Sequence, residues 1–143
     1  MAETVTHSLV KALRTVPDFA PLGDEDLLRI VGASTNLFWP AGSLVFARGS
    51  EAEALYVILT GKVRIFEVIE GTEVEVSVIG PGDSFGELSL LLHTTHTKDA
   101  RAEEDTELMV VPKESFQGLL ARHPDLATHF RKRLAERLPV RGE

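Results

Sequence analysis

The sequence predicts an α+β domain: an antiparallel β-roll, jelly-roll-like, of about eight strands, flanked by N-terminal and C-terminal helices. Three observations carry this. Between residues 34 and 112, short β-type runs follow one another and are punctuated by glycine. On either side, apolar residues recur at helical spacing. The length of 143 residues, 43% of them hydrophobic, suits one core in one domain. The boundaries are helices over 3–33, a roll over 34–112 and helices over 113–138, all within a single domain spanning 1–143.

The elements follow in order. Val5, Leu9, Leu13 and Val16 fall near one face of a first helix, which Pro17 ends. Asp24, Glu25 and Asp26 suit the positive end of a second, whose apolar side is Leu27, Leu28, Ile30 and Val31. Strand-like runs come next at Asn36 to Trp39, Leu44 to Ala47, Leu55 to Leu59 and Lys62 to Ile69. The continuous apolar run at Leu55 reads as a strand buried on both faces. Thr72 to Ile79 alternates strictly, with Val74, Val76 and Val78 on one face and Glu73, Glu75 and Ser77 on the other. Gly71 marks the turn before it. Thr97 to Glu103 and Leu108 to Val111 complete the roll. Ser115 to Ala121 is a short helix. Pro124 opens a last one, with Leu126, Phe130, Leu134 and Leu138 along one stripe.

Composition narrows the chemistry. There is no cysteine, so no disulfide, thiolate nucleophile or thiolate metal site exists. No apolar run is long enough for a signal peptide core or a membrane span, so the expected location is cytoplasmic. The net charge of −7 argues against wrapping a phosphate backbone. Charge is uneven: residues 122–143 hold six Lys/Arg against three Asp/Glu, which reads as a solvated, dipole-matched helix end. His93 and His96 have an H-x-x-H spacing, but no further ligand accompanies them and no metal is expected. Ser84, Ser89 and Ser115 lack any nucleophile motif, so no catalysis is expected.

The densest signal is Ile79-Gly-Pro-Gly-Asp-Ser-Phe-Gly-Glu-Leu-Ser-Leu90. A Pro-Gly turn ends a strand. Gly86 then precedes an apolar run able to make a helical turn. Amides at such a start form an anion site, strengthened by the helix dipole. Gly86 permits close approach of a ligand. Glu87 beside an anion site makes sense if it accepts hydrogen bonds from sugar hydroxyls of the same ligand.

Pro81 to Leu90 resembles, position by position, the phosphate-binding cassette of the cyclic nucleotide-binding domain family. Pro40-Ala41-Gly42, Gly49 and Leu55 to Val63 resemble its early turns and central strand pair, so the likeness covers residues 16–138. The resemblance implies a ligand site of Phe85, Gly86, Glu87, Leu88 and Ser89. Glu87 would take the ribose 2′-hydroxyl, and the amides of Leu88 and Ser89 the cyclic phosphate of cAMP or cGMP. The family's phosphate arginine has its place at His96, followed by Thr97 and Lys98. Arginine suits that place because its planar fork makes two charge-assisted bonds to phosphate. His96, if protonated, or Lys98 would supply the charge instead; Arg101 should point to the opposite face. The expected function is a non-catalytic sensor domain signalling through its C-terminal helix, which in the regulator branch of the family also forms a homodimer. The alternative is a degenerate domain that has lost its nucleotide and binds protein. Five residues follow Leu138, so no helix-turn-helix and no direct DNA reading are expected.

Overall fold

The structure is a computed structural model that describes residues 9–137. Val5 and Leu138, assigned above to the outer helices, lie outside that range.

Residues 9–14 are helical and bury Val10 and Leu13. Pro17 stops this segment by starting a 3-10 turn, Pro17–Phe19, at the position where its missing N–H is harmless. Helix α1 (Asp24–Ala33) carries all three acids in its first turn and buries Leu27 and Ile30.

Eight antiparallel strands follow among the described residues: β1 (Thr35–Trp39), β2 (Leu44–Phe46), β3 (Ala54–Thr60), β4 (Val63–Ile69), β5 (Thr72–Ile79), β6 (Ser84–Phe85), β7 (Asp99–Ala102) and β8 (Thr106–Pro112). Helix α2 (Glu87–Leu92) lies between β6 and β7; α3 (Lys113–Arg122) and α4 (Pro124–Arg137) close the chain. One sheet runs β1-β8-β3-β6 and the other β2-β7-β4-β5. This is the expected β-roll between helices. The two-residue strand β6 is too short for any periodicity to announce it in the sequence.

Two apolar clusters divide the strands' faces. Ile58, Val63, Phe85, Ala100 and Leu108 fill the roll, joined by Trp39, Phe46 and Tyr56. Leu55, Val57, Met109 and Val111 bury the outer face of β3 and β8 against helix residues Leu13, Leu27, Phe116, Leu119, Leu126 and Phe130. The run at Leu55 is thus buried on both sides, as its continuous hydrophobicity requires. Leu126 and Phe130 of the C-terminal stripe pack into this same chain; Phe130 sits edge-on to Phe116 at 5.3 Å. The β3–β4 corner depends on Gly61, with φ of +92°. A Cβ there would collide with the Thr106 hydroxyl and the Asp105 carbonyl. The buried Thr106 hydroxyl donates to the Lys62 carbonyl and accepts from the Lys62 amide.

The alternation expected of β5 is broken. Ile65 pairs with Ser77 and Phe66 with Glu75, passing over Val76. Such a bulge switches faces along the strand. Val78 shares a face with Arg64, whereas Val74 shares the opposite face with Glu67. All three valines stay exposed.

Candidate functional site

The cassette is positioned by β3. Tyr56 pairs with Phe85 and Val57 with Ser84, and the two aromatic rings stack at 5.1 Å. Upstream, the Gly82 amide donates to the Ile58 carbonyl and the Ile58 amide to the Asp83 carbonyl. The Gly80 amide donates to the Asp83 carboxylate. The turn is therefore stitched to a strand buried on both faces.

Gly86 then caps α2 in the left-handed region, with φ of +91°. An L side chain there is strained, and its Cβ would press on the Ala54 carbonyl and the Tyr56 ring, each at 3.2 Å. This left-handed step aims the first turn of α2. Glu87 is 6% exposed and Ser89 is also buried. The amides of Leu88 and Ser89 fall in that first turn, where helix geometry provides no intrahelical acceptor. Leu90, one residue on, belongs to the helix-side core with Phe116, Leu119, Leu126 and Phe130.

The segment carrying His96 closes over β2. The His96 amide donates to Ser50 O and its carbonyl accepts from the Gly49 amide, at 2.9 and 2.8 Å. The Arg48 amide donates to the Asp99 carboxylate. The imidazole is 3% exposed and lies flat on Phe46, with ring centroids 3.6 Å apart. Phe46 in turn touches Phe85 at 5.9 Å and Tyr56 at 5.7 Å. Burial pushes the His96 pKa below the usual histidine value, so the ring is neutral at pH 7. A cationic His96 standing in for arginine is at odds with this setting. Its ring reaches Phe85 of the cassette only through Phe46.

Thr97 is exposed. Lys98 points to Glu67, with its Nζ 3.8 Å from the carboxylate. Arg101 is on the other face, as expected. There it makes a bidentate pair with Glu73, at 2.9 and 3.0 Å, and covers the buried Phe66 ring from 4.5 Å. Arg64 joins Glu73 from the neighbouring strand. These guanidiniums hold the Glu73 carboxyl down to about 2. Among the described residues no three His, Asp or Glu side chains form a metal-binding group, and no helix is long and apolar enough to cross a membrane.

Sequence reasoning overlooked two participants, Phe46 and Glu67. Both reach the site from strands 50 and 31 residues from their partners at His96 and Lys98. No local pattern signals such pairing.

Together, a two-sheet roll, a glycine-led helical turn and a carboxylate buried beside it define a β-roll domain with a candidate ligand cassette. The model of the family described as cyclic nucleotide-binding domain matches residues 37–123. The chain belongs to that family, whose domains are regulatory. It is 35% identical over 123 residues to the cyclic AMP receptor protein of Thermus thermophilus, covering 85% of this chain and 57% of that protein. It is 34% identical over 101 residues to lysophospholipase nte1 of Aspergillus oryzae, covering 68% of this chain but 6% of that enzyme. The regulatory domain of Toxoplasma gondii PKA, in a co-crystal with cAMP, superposes with a TM-score of 0.77 at 27% identity, over 82% of this chain and 45% of that one. The chain thus spans little more than half of one curated relative and a small part of the other.

Proposed function

We propose that this domain binds a cyclic nucleotide, cAMP or cGMP, between the roll and the cassette. Glu87 accepts from the ribose 2′-hydroxyl, and the Leu88 and Ser89 amides donate to the cyclic phosphate. Lys98 supplies the positive charge that His96 does not. The observation that carries this reading is Gly86 in the left-handed region, setting buried Glu87 and two first-turn amides side by side.

Occupancy passes to the C-terminal helices through Leu90. That residue is packed with Phe116, Leu119, Leu126 and Phe130, so a shift of α2 is felt by α3 and α4. The α3–α4 junction is itself anchored. His123 Nε2 lies 3.0 Å from the Asp26 carboxylate of α1, and its carbonyl accepts from the Leu126 and Ala127 amides.

The test is the rise in melting temperature with cAMP, cGMP and 2′-deoxy-cAMP. We expect cAMP or cGMP to stabilise the domain and the 2′-deoxy analogue to do so much less. Equal stabilisation by cAMP and its 2′-deoxy analogue would mean that Glu87 does not hold the ribose hydroxyl.

The neutral, stacked His96 favours a second reading, in which the pocket is idle and the domain binds protein. Absence of any stabilisation by either nucleotide at millimolar concentration selects it.

A further inference from the structure

The β4–β7 ladder pairs Ile65 with Ala100 and Phe66 with Asp99, so its continuation sets Glu67 against Lys98. Glu67 lies two residues beyond Ile65 and shares its face, the one that Ala100 buries inside the roll. Lys98 and Glu67 are 26% and 29% exposed. Two residues before Lys98, His96 touches Phe46, and Phe46 touches Phe85, the neighbour of Gly86. The aromatic chain Phe85–Phe46–His96 thus runs from the cassette to the segment that carries Lys98.

The chain's other cations on these strands are committed. Arg101 and Arg64 hold Glu73 on the outer face at hydrogen-bond distance. The Lys98–Glu67 pair differs in kind. At 3.8 Å it is a Coulombic contact, outside the 2.7–2.9 Å range of a charge-assisted hydrogen bond. An ammonium on a flexible stem re-aims readily, where a forked guanidinium does not.

We infer that Glu67 is a built-in competitor for the ligand's anion: it holds Lys98 while the pocket is empty and yields it to an entering cyclic phosphate. This rests on the cyclic-nucleotide reading above. Its consequence is an affinity set by Glu67, a residue that need not touch the ligand. Each binding event exchanges one carboxylate partner of Lys98 for a phosphate and leaves Glu67 facing a second anion. Phosphate-bearing ligands bear that cost, and ligands without phosphate do not.

Titration calorimetry at low salt with cAMP, and with adenosine as the phosphate-free probe, tests it on the wild type, Glu67→Gln, Lys98→Met and the double variant. Melting temperatures without ligand verify that each folds. We expect Glu67→Gln to bind cAMP about two- to five-fold tighter, the range an exposed ion pair spans, with adenosine unaffected. Lys98→Met should weaken cAMP, and the double variant should match Lys98→Met. A Glu67→Gln variant that binds cAMP no tighter than wild type overturns the inference. So does an equal gain for adenosine, or a gain that persists with Lys98→Met. In those cases wild-type binding of cAMP leaves the nucleotide reading standing. Absence of cAMP binding by the wild type and every variant defeats both.

Discussion

His96 lies parallel to Phe46, with 4° between the ring planes and 3.6 Å between their centres. Burial of the imidazole disfavours its charged form and lowers its pKa. His96 is therefore a piece of the roll's packing.

The pH dependence follows from that shift. The unfolded chain takes up a proton near pH 6.5, while folded His96 resists it to lower pH. Below pH 6.5 the unfolded state binds more protons, so His96 costs stability progressively as pH falls through the folded pKa. Above pH 6.5 it contributes nothing to the slope. We expect His96→Phe to flatten the decline in melting temperature between pH 7 and 5 relative to wild type. Parallel curves would mean that His96 charges freely. By the same logic, cAMP affinity should not strengthen from pH 7.5 to 6.

His96→Arg places a guanidinium against Phe46, in a buried setting that disfavours charge. We expect a lower melting temperature without ligand. With cAMP, one or two charge-assisted bonds of about 1.5–3 kcal/mol each should tighten binding by roughly ten-fold or more. Calorimetry beside ligand-free melts reads both effects. Unchanged affinity would show that the phosphate lies elsewhere.

Gly86→Ala forces a Cβ into the left-handed region and against the Ala54 carbonyl. The backbone term alone costs about 1–2 kcal/mol. Urea denaturation should report at least that loss, with an unchanged slope against denaturant. A neutral substitution would mean that the turn relaxes to another geometry.

Glu73 is ionised to about pH 2 because Arg101 and Arg64 bind it. A depressed carboxyl pKa stabilises the fold above the unfolded value, and that stabilisation is lost as pH falls through the folded one. Glu73→Gln should lower the melting temperature at pH 7, and its difference from wild type should shrink from pH 5 towards pH 2. A pH-independent difference would assign the effect to packing.

Much of this molecule is legible in its sequence because the signals are local. The proline stop at Pro17, the acidic start of α1, the doubly buried run at Leu55 and the Gly86–Glu87 turn are each written within a few residues. What the sequence conceals is register. A single bulge at Val76 separates Val74 from Val78, although the letters alternate without fault. Phe46 and Glu67 reach His96 and Lys98 only because β2 and β4 flank β7 in one sheet. The neutral state of His96 likewise follows from burial that no run of neighbours announces.

Calorimetric titration of the wild type and Glu87→Gln with cAMP decides whether this cassette holds a cyclic nucleotide. We expect saturable binding at one site per chain, weakened about ten-fold or more by Glu87→Gln, since a bond from the 2′-hydroxyl to a charged acceptor is at stake. No heat from the wild type at millimolar cAMP, or binding that Glu87→Gln leaves untouched, would contradict it.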